Sequence, residues 1–285
     1  MAERRLLERK KLFASVEDIP VLLPPPGSPY EGDPPTDADM GKYDPNTVNY
    51  INIKTNNIPP GHEKRIKEVE DMIDLTHQWL DIHAGKQTKI QKDKGTLPTD
   101  MTKESQLKRS DYRIKVLDTI MTEGNCPWIK LSRDDHLTNH IKVAKAEFHT
   151  TILQDILAGI TTVKAISASI EAVLKSLSDI IVSSKDQMQN RLSWSFFNVF
   201  TWDDVTQDVK GTIRIIVYNV SGKMVEYTVH KAQYQEVQMD FYFHQEDFTF
   251  TDSRWIKSKS DVEEFLDENG RKKIRDPIEG DITPD

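Results

Sequence analysis

The chain has 285 residues, 37% hydrophobic and 29% charged, with 38 Lys+Arg against 46 Asp+Glu, a net charge of -8 and a single cysteine. At about 100–200 residues per domain this is one large domain or two modest ones, with enough apolar mass to bury a core. The acidic balance supplies no electrostatic reason to bind nucleic acid, and a lone thiol, Cys126, cannot close an intrachain disulfide.

The first thirteen residues, MAERRLLERKKLF, lack the continuous apolar run of about 7–15 residues that a secretory signal needs. The expectation is a soluble protein, cytoplasmic or exported without a standard signal peptide. Leu6, Leu7 and Phe13 among Arg4, Arg5, Lys10 and Lys11 form a basic amphipathic turn of the kind that touches anionic lipid, although solvated helix ends have the same composition. Ten of the fourteen prolines fall between Pro20 and Pro60. Each fixes φ and removes a backbone donor, so regular helix and central strand are excluded there. Residues 1–60 therefore read as a Pro-rich extended arm. It either drapes over its own domain, with Tyr30, Tyr43, Tyr50 and Ile51 as anchors, or lies as polyproline II against an aromatic-lined partner.

Residues 61–193 read as a helical region. Ile66, Val69, Ile73 and Leu80 make an apolar stripe that predicts a helix over 61–84, closed by Gly85. On it, Glu70, Asp74, His77 and Asp81 recur at helical spacing. A metal or acid–base role is conceivable there, but a solvated face is the commoner use of such a set. Residues 86–98 read as a basic connector, and Thr99-Asp100 cap a second helix carrying Leu107, Ile114, Leu117 and Met121 and ending before Gly124. Between Lys86 and Lys115 there are nine Lys+Arg against four Asp+Glu, a patch for anionic lipid or an acidic partner if its charges cluster in space. Cys126, in the turn Gly124-Asn-Cys-Pro-Trp128, has no C-x-x-C partner; acylation or a small buried residue fits it better than a nucleophile.

Ser132-Arg-Asp-Asp135 has capping-box form and predicts the start of a long helix. Its stripe runs through Ile141, Phe148, Ile156, Ile160, Val163, Ile166, Ile170, Leu174 and Ile181. The segment from Ile156 to Ile170 holds one charge, Lys164, yet at 15 residues it is shorter than the ~20 needed to span a bilayer. A central core helix and a conditionally exposed membrane helix both fit it. His136 and His140, four apart near the predicted helix start, lack the H-E-x-x-H arrangement and read as a pH-sensing pair rather than a metal site.

Residues 194–270 read as an antiparallel β region with a short helix. Trp194, Phe196, Phe197, Phe200 and Trp202 concentrate aromatics, suited to a membrane or partner surface or to a junction in the core. The period then becomes two, with Ile213, Ile215 and Val217 followed by Val225, Tyr227 and Val229 across a Ser221-Gly222 turn. Val237 to Phe243 and Phe248 to Phe250 supply further strands, giving a meander with one wet face. Ser260-Asp-Val-Glu263 opens a short helix ending at Asn269-Gly270, and residues 271–285 form a charged tail.

No phosphate loop, G-x-G-x-x-G, G-x-S-x-G, paired C-x-x-C or kinase signature is present. The sequence calls for no metal and no cofactor, and it leans away from an enzyme, although dispersed catalytic residues would leave no motif. The predicted fold class is α+β: long amphipathic helices forming a bundle, then a small antiparallel β-meander and a short C-terminal helix. In outline, over residues 132–202, this resembles bacterial helical pore-forming toxins and related virulence proteins, which hide a weakly apolar helical segment in a soluble form. The resemblance transfers no functional residue. It implies a non-enzymatic toxin-like protein that engages an anionic membrane through the central helix and the aromatic cluster, with oligomers possible. A structural or adaptor protein binding a partner through the Pro-rich arm is the alternative from another class.

Overall fold

The computed structural model describes residues 12–23, 34–42, 44, 48–55, 57–144, 192–220 and 236–275. In chain order these form strand β1 (Val48–Lys54), helices α1 (Glu63–Asp93) and α2 (Lys103–Thr122), strands β2 (Ile129–Ala144), β3 (Leu192–Asp203), β4 (Asp208–Val220) and β5 (Glu236–Phe250), and helix α3 (Asp252–Arg275). The class is α+β, as the change of hydrophobic period predicts. Contacts group the chain into two compact units: a sheet unit of residues 47–70 and 130–250, and a helical unit of residues up to 46, 71–129 and from 251 onward.

In the sheet unit the strand order is β1-β3-β4-β5-β2. The observed meander is β3-β4-β5, each antiparallel to the next, with Phe196 opposite Ile215 and Ile213 opposite Phe248; period two predicts β4 and, as two separate runs, β5, whereas the aromatic cluster expected as a surface or core junction is itself strand β3. Two strands join it that the sequence pattern does not announce. β1 comes from the end of the Pro-rich arm and pairs parallel with β3, Ile51 opposite Phe197 and Ile53 opposite Val199. Thr55 closes this pairing by donating its N–H to Phe200 O at 3.0 Å and its hydroxyl to the same oxygen at 2.9 Å. The other is β2, where a helix start is expected. From Ile129 to Val143 the odd positions are mostly apolar and the even ones, Lys130 to Lys142, all polar, a period of two that outweighs the capping-box signal at Ser132.

The expected wet face is also absent at the centre of the sheet. Trp194, Phe196, Phe200, Ile213, Ile215 and Phe248 are buried on one face, and Ile51, Ile53, Phe197 and Val199 on the other. Alternation fails as a guide here because residues pointing both ways are covered. The second face also encloses a buried ion pair, with both Arg214 Nε and Nη2 donating to the Asp247 carboxylate at 2.6 Å. Arg65, in the first turns of α1, makes a similar two-pronged contact to Asp208 at 3.0 Å and 3.0 Å.

In the helical unit, α1 runs nine residues beyond the predicted stop and ends where Gly95, at φ 72°, supplies the left-handed turn that Gly85 does not. Gly85 instead lies inside the helix because Met40 and Pro35 press against it. A Cβ there would fall 3.1 Å from Pro35 Cβ and closer still to Met40 Sδ. The inward stripe changes character along α1: Met72, Ile73, Leu80 and Ala84 are apolar, whereas Gln87, Thr88 and Gln91 are polar yet buried. The reason is the arm. A Pro-rich segment has carbonyl groups that no helix or sheet satisfies, so side chains must do it. Gln87 accepts Leu22 N–H at 2.9 Å and donates to Leu22 O at 2.8 Å, while Gln91 and Tyr112 each donate to Pro20 O at 2.9 Å. Lys115 Nζ caps three further arm carbonyls, of Val16, Glu17 and Ile19, at 2.9, 3.0 and 2.7 Å. Phe13, Val16 and Ile19 are buried, so these arm residues drape over their own helices.

α2 is capped by Thr102, whose hydroxyl accepts Ser105 N–H at 3.3 Å, three residues after the predicted Thr99. It ends at Thr122, before Gly124, as the stripe predicts. α3 begins eight residues ahead of the predicted Ser260 and passes through Asn269-Gly270 to Arg275. It starts from Thr251, whose carbonyl accepts the N–H groups of Arg254 and Trp255 at 3.0 Å each.

Candidate functional site

Three stretches of the helical unit enclose a cleft of about 240 Å³. The middle of α1 supplies Gln78, Asp81 and Ile82, the arm supplies Pro35 and Met40, and the last turns of α3 supply Asn269 and Gly270. Pro35, Met40 and Ile82 make the lining predominantly apolar, with Asp81 its single formal charge. Asn269 Nδ2 donates to Phe265 O one turn back at 2.6 Å, which holds this amide at the cleft wall.

The arm wall is held by buried charge. Arg109 Nη2 donates to Asp44 at 2.8 Å, and Arg113 Nη1 lies 2.8 Å from the other oxygen of the same carboxylate. Arg109 Nη1 also caps Pro98 O and Asp100 O at 3.0 and 2.8 Å. Beside Gly41, whose φ of 86° suits glycine, the Arg113 guanidinium occupies the space a Cβ would take. Asp39 accepts Lys92 Nζ at 2.6 Å and the Thr36 N–H at 2.9 Å. Burial alone would raise the Asp39 pKa, but these donors outweigh it and hold the carboxyl below its ordinary range.

Behind α1 lies an aromatic stack. Trp128 meets Trp79 edge-on at 5.1 Å and Trp255 edge-on at 5.5 Å, and its Nε1–H donates to Thr76 Oγ1 at 2.9 Å. The His83 ring tilts against Trp79 at 4.2 Å and stacks flat on Phe265 at 4.7 Å, with Lys86 Nζ over the same Phe265 ring at 5.7 Å. Burial pushes His83 down to about 3, with Lys86 adding to the effect, and burial alone pushes His77 down to about 3. Both imidazoles are therefore neutral at neutral pH.

The sequence-predicted residues fall as follows. Trp194, Phe196, Phe197 and Phe200 are buried within the sheet, the junction role rather than a surface, because both faces of β3 are covered. Trp202 is partly covered, its ring 4.5 Å from that of His62. Ile156, Ile160, Val163, Ile166 and Ile170 lie outside the described residues, as does the predicted 225–229 strand. His136 and His140 lie on strand β2 rather than on a helix, so four residues separate them by about 13 Å along the chain instead of one helical turn. Cys126 is fully buried, and burial pushes its thiol well above its ordinary range.

Of the nine cations between Lys86 and Lys115, Lys89 pairs with Asp93, Lys92 with Asp39, and Arg109 and Arg113 with Asp44. Lys115 caps arm carbonyls and Lys86 lies over Phe265, so most of this basic neighbourhood is consumed within the unit. On α1, Glu70 pairs with Lys54 at 3.0 Å, Asp74 is exposed, His77 is buried and Asp81 lines the cleft. Among the described residues no group of His, Cys, Asp or Glu is arranged to hold a metal ion, and no helix is long and apolar enough to cross a membrane. The sequence pattern marked Asp81 but not Met40, Ile82 or Asn269, which three separate stretches bring together.

No family model matches the chain, and no curated protein matches its sequence significantly. Among solved structures the fold is similar to that of the Evf virulence factor, at 15% identity and a TM-score of 0.53, over 78% of this chain and 80% of that one. Overlaps with a delta-endotoxin (8% identity, TM-score 0.32, 81% of this chain and 90% of that one) and with the activated Cyt2Ba monomer from Bacillus thuringiensis subsp. israelensis (10%, 0.32, 72% and 98%) are looser. The chain thus shares its architecture, and little of its sequence, with a virulence factor.

Proposed function

We propose that this chain is a toxin-like, virulence-associated protein that acts by engaging a membrane rather than by catalysing a reaction. The observation that supports this most is the likeness of fold to the Evf virulence factor over 78% of the chain. The sequence adds the weakly charged segment from Ile156 to Ile170, which is the natural lipid-contacting element, since the β3 rings are occupied in the sheet core. Contact with a bilayer then follows an opening of the fold, and acid is a means to it, because His77 and His83 are buried neutral and become charged only at a cost.

The test uses the full chain and dye-loaded vesicles, anionic and zwitterionic, at pH 7 and pH 5. Leakage is expected, greater at pH 5, and diminished by Ile166→Asp. Neither binding nor leakage on either vesicle at either pH would refute the reading. The adaptor reading loses ground because arm residues 12–23 are engaged by α1 and α2 of the same chain.

A further inference from the structure

We propose that the groove between α1 and α2, filled in this chain by residues 12–23, also receives the same segment of a second copy, so that two chains exchange arms. Three observations carry this, independently of the membrane reading. The groove reads main chain more than side chain. Gln87 holds Leu22 by both its N–H and its carbonyl, at 2.9 and 2.8 Å, Gln91 and Tyr112 both donate to Pro20 O, and Lys115 gathers the carbonyls of Val16, Glu17 and Ile19. The segment itself contributes a single 3-10 turn, Ala14–Val16. An arm arriving from a second copy meets the same donors, and the same buried seats for Phe13, Val16 and Ile19, as the chain's own arm, so exchange sacrifices no contact.

The floor of the groove tolerates being uncovered. Upstream the inward stripe of α1 is apolar, whereas under the arm it becomes Gln87, Thr88 and Gln91, all fully buried. Apolar side chains would best fill a floor that stayed covered; amides regain hydrogen bonds from water when the arm leaves, and no large apolar patch is bared beneath it. The connector favours departure. Leu22 is held at Gln87 and Pro35 lies against Gly85, so the stretch 24–33 leaves and rejoins the same turn of α1. Four of its ten residues are proline, three of them consecutive, Pro24-Pro25-Pro26. Ten residues in the polyproline form reach about 31 Å, so returning such a sequence to its own helix opposes its stiffness, and seating the arm on a neighbouring copy relieves it.

The test mixes two full-length variants, Ser15→Cys and Asp111→Cys, which place one thiol on the arm and one on α2 where the Ser15 hydroxyl donates to Asp111 at 2.7 Å. In this mixture an oxidant joins 15 to 111 between chains only when the arm of one lies in the groove of the other. The control pairs Ser15→Cys with Lys94→Cys, at an exposed position past the end of α1. A tethered arm competes at about millimolar effective concentration, so the 15–111 product is expected at background near about 1 µM protein and at least about tenfold above the control by about 0.5 mM. Pro24→Gly, Pro25→Gly and Pro26→Gly together free the connector and should lower the product several-fold. Wild-type protein, which carries no added thiol, should sediment as a monomer near about 1 µM and show a growing dimer fraction toward about 0.5 mM. Product no higher than the control at any concentration, a wild-type monomer throughout, or exchange undiminished by the three glycines would overturn the proposal. Every readout is taken in solution without vesicles, so arm exchange and the membrane function fail separately.

Discussion

Lowering the pH from 7 to 5 should destabilise the helical unit through its two buried histidines. In the unfolded chain an imidazole titrates near 6.5, whereas His77 and His83 are held at about 3 in the fold. Because the folded values are depressed, the unfolded state binds more protons, so stability is fully present above the unfolded value and is lost as pH falls through 6.5 toward the folded one. At pH 5 an unfolded histidine is about 97% protonated and these two remain essentially neutral, which gives about 2 kcal/mol for each. This figure is unchanged if the folded values lie anywhere below about 4. His77, almost wholly enclosed, should deliver its full share, and the partly covered His83 somewhat less. A loss approaching ~4 kcal/mol is large beside the 5–15 kcal/mol that ordinarily separates folded from unfolded. Carboxylates enter later: the depressed Asp39 and Asp208 exchange protons with their unfolded forms only around and below about pH 4. The assay is urea unfolding at pH 7, 6 and 5 for the wild type and for His83→Phe, which keeps a ring on Phe265 and removes the titration. The variant should lose up to about 2 kcal/mol less than the wild type over that range. Identical pH slopes for the two proteins would refute the reasoning.

The other expectations are local. Asp44→Ala strands Arg109 and Arg113 in a buried site and should cost about 3–5 kcal/mol in chemical unfolding; a loss under 1 kcal/mol would show that water reaches the pair. Gly85→Ala gains roughly 1 kcal/mol of helix propensity but meets Met40 and Pro35, so it should destabilise by about 1–3 kcal/mol, whereas a helix free of the arm would be stabilised. Cys126 should react with an aromatic disulfide reagent only as fast as the protein opens, and stoichiometric labelling within the mixing time would contradict its burial.

Where one face of an element met solvent or a simple apolar core, the sequence was a good guide. The stripe of α2, the Gly124 stop and the strands β4 and β5 follow from period alone. The misreadings have physical causes. The predicted end of α1 at Gly85 falls short because that glycine sits inside the helix, and because Gln87 and Gln91 beyond it are core residues whose partner is arm backbone, a use that composition cannot distinguish from a solvated connector. β2 carries a Ser-x-x-Asp helix-start signal at Ser132, and its period-two alternation is interrupted at Arg133, Asp135 and Asn139, so the two local signals compete there. The cleft was invisible as a unit: Met40, Asp81 and Asn269 are separated by some forty and nearly two hundred residues, and only the fold of the helical unit makes them neighbours.

That unit draws on three separated lengths of chain, and its Trp128–Trp255 contact joins residues 127 positions apart. During synthesis the arm emerges first, yet Lys115, which caps its carbonyls, follows about a hundred residues later, and α3 arrives only after the last strand. At 5–20 residues per second the nascent arm waits roughly 5–20 s for α2, and Trp79 and Trp128 wait longer for Trp255. A ribosome-stalled chain ending at residue 250 should therefore present these two indoles to a chaperone, while adding residues 251–275 should withdraw them.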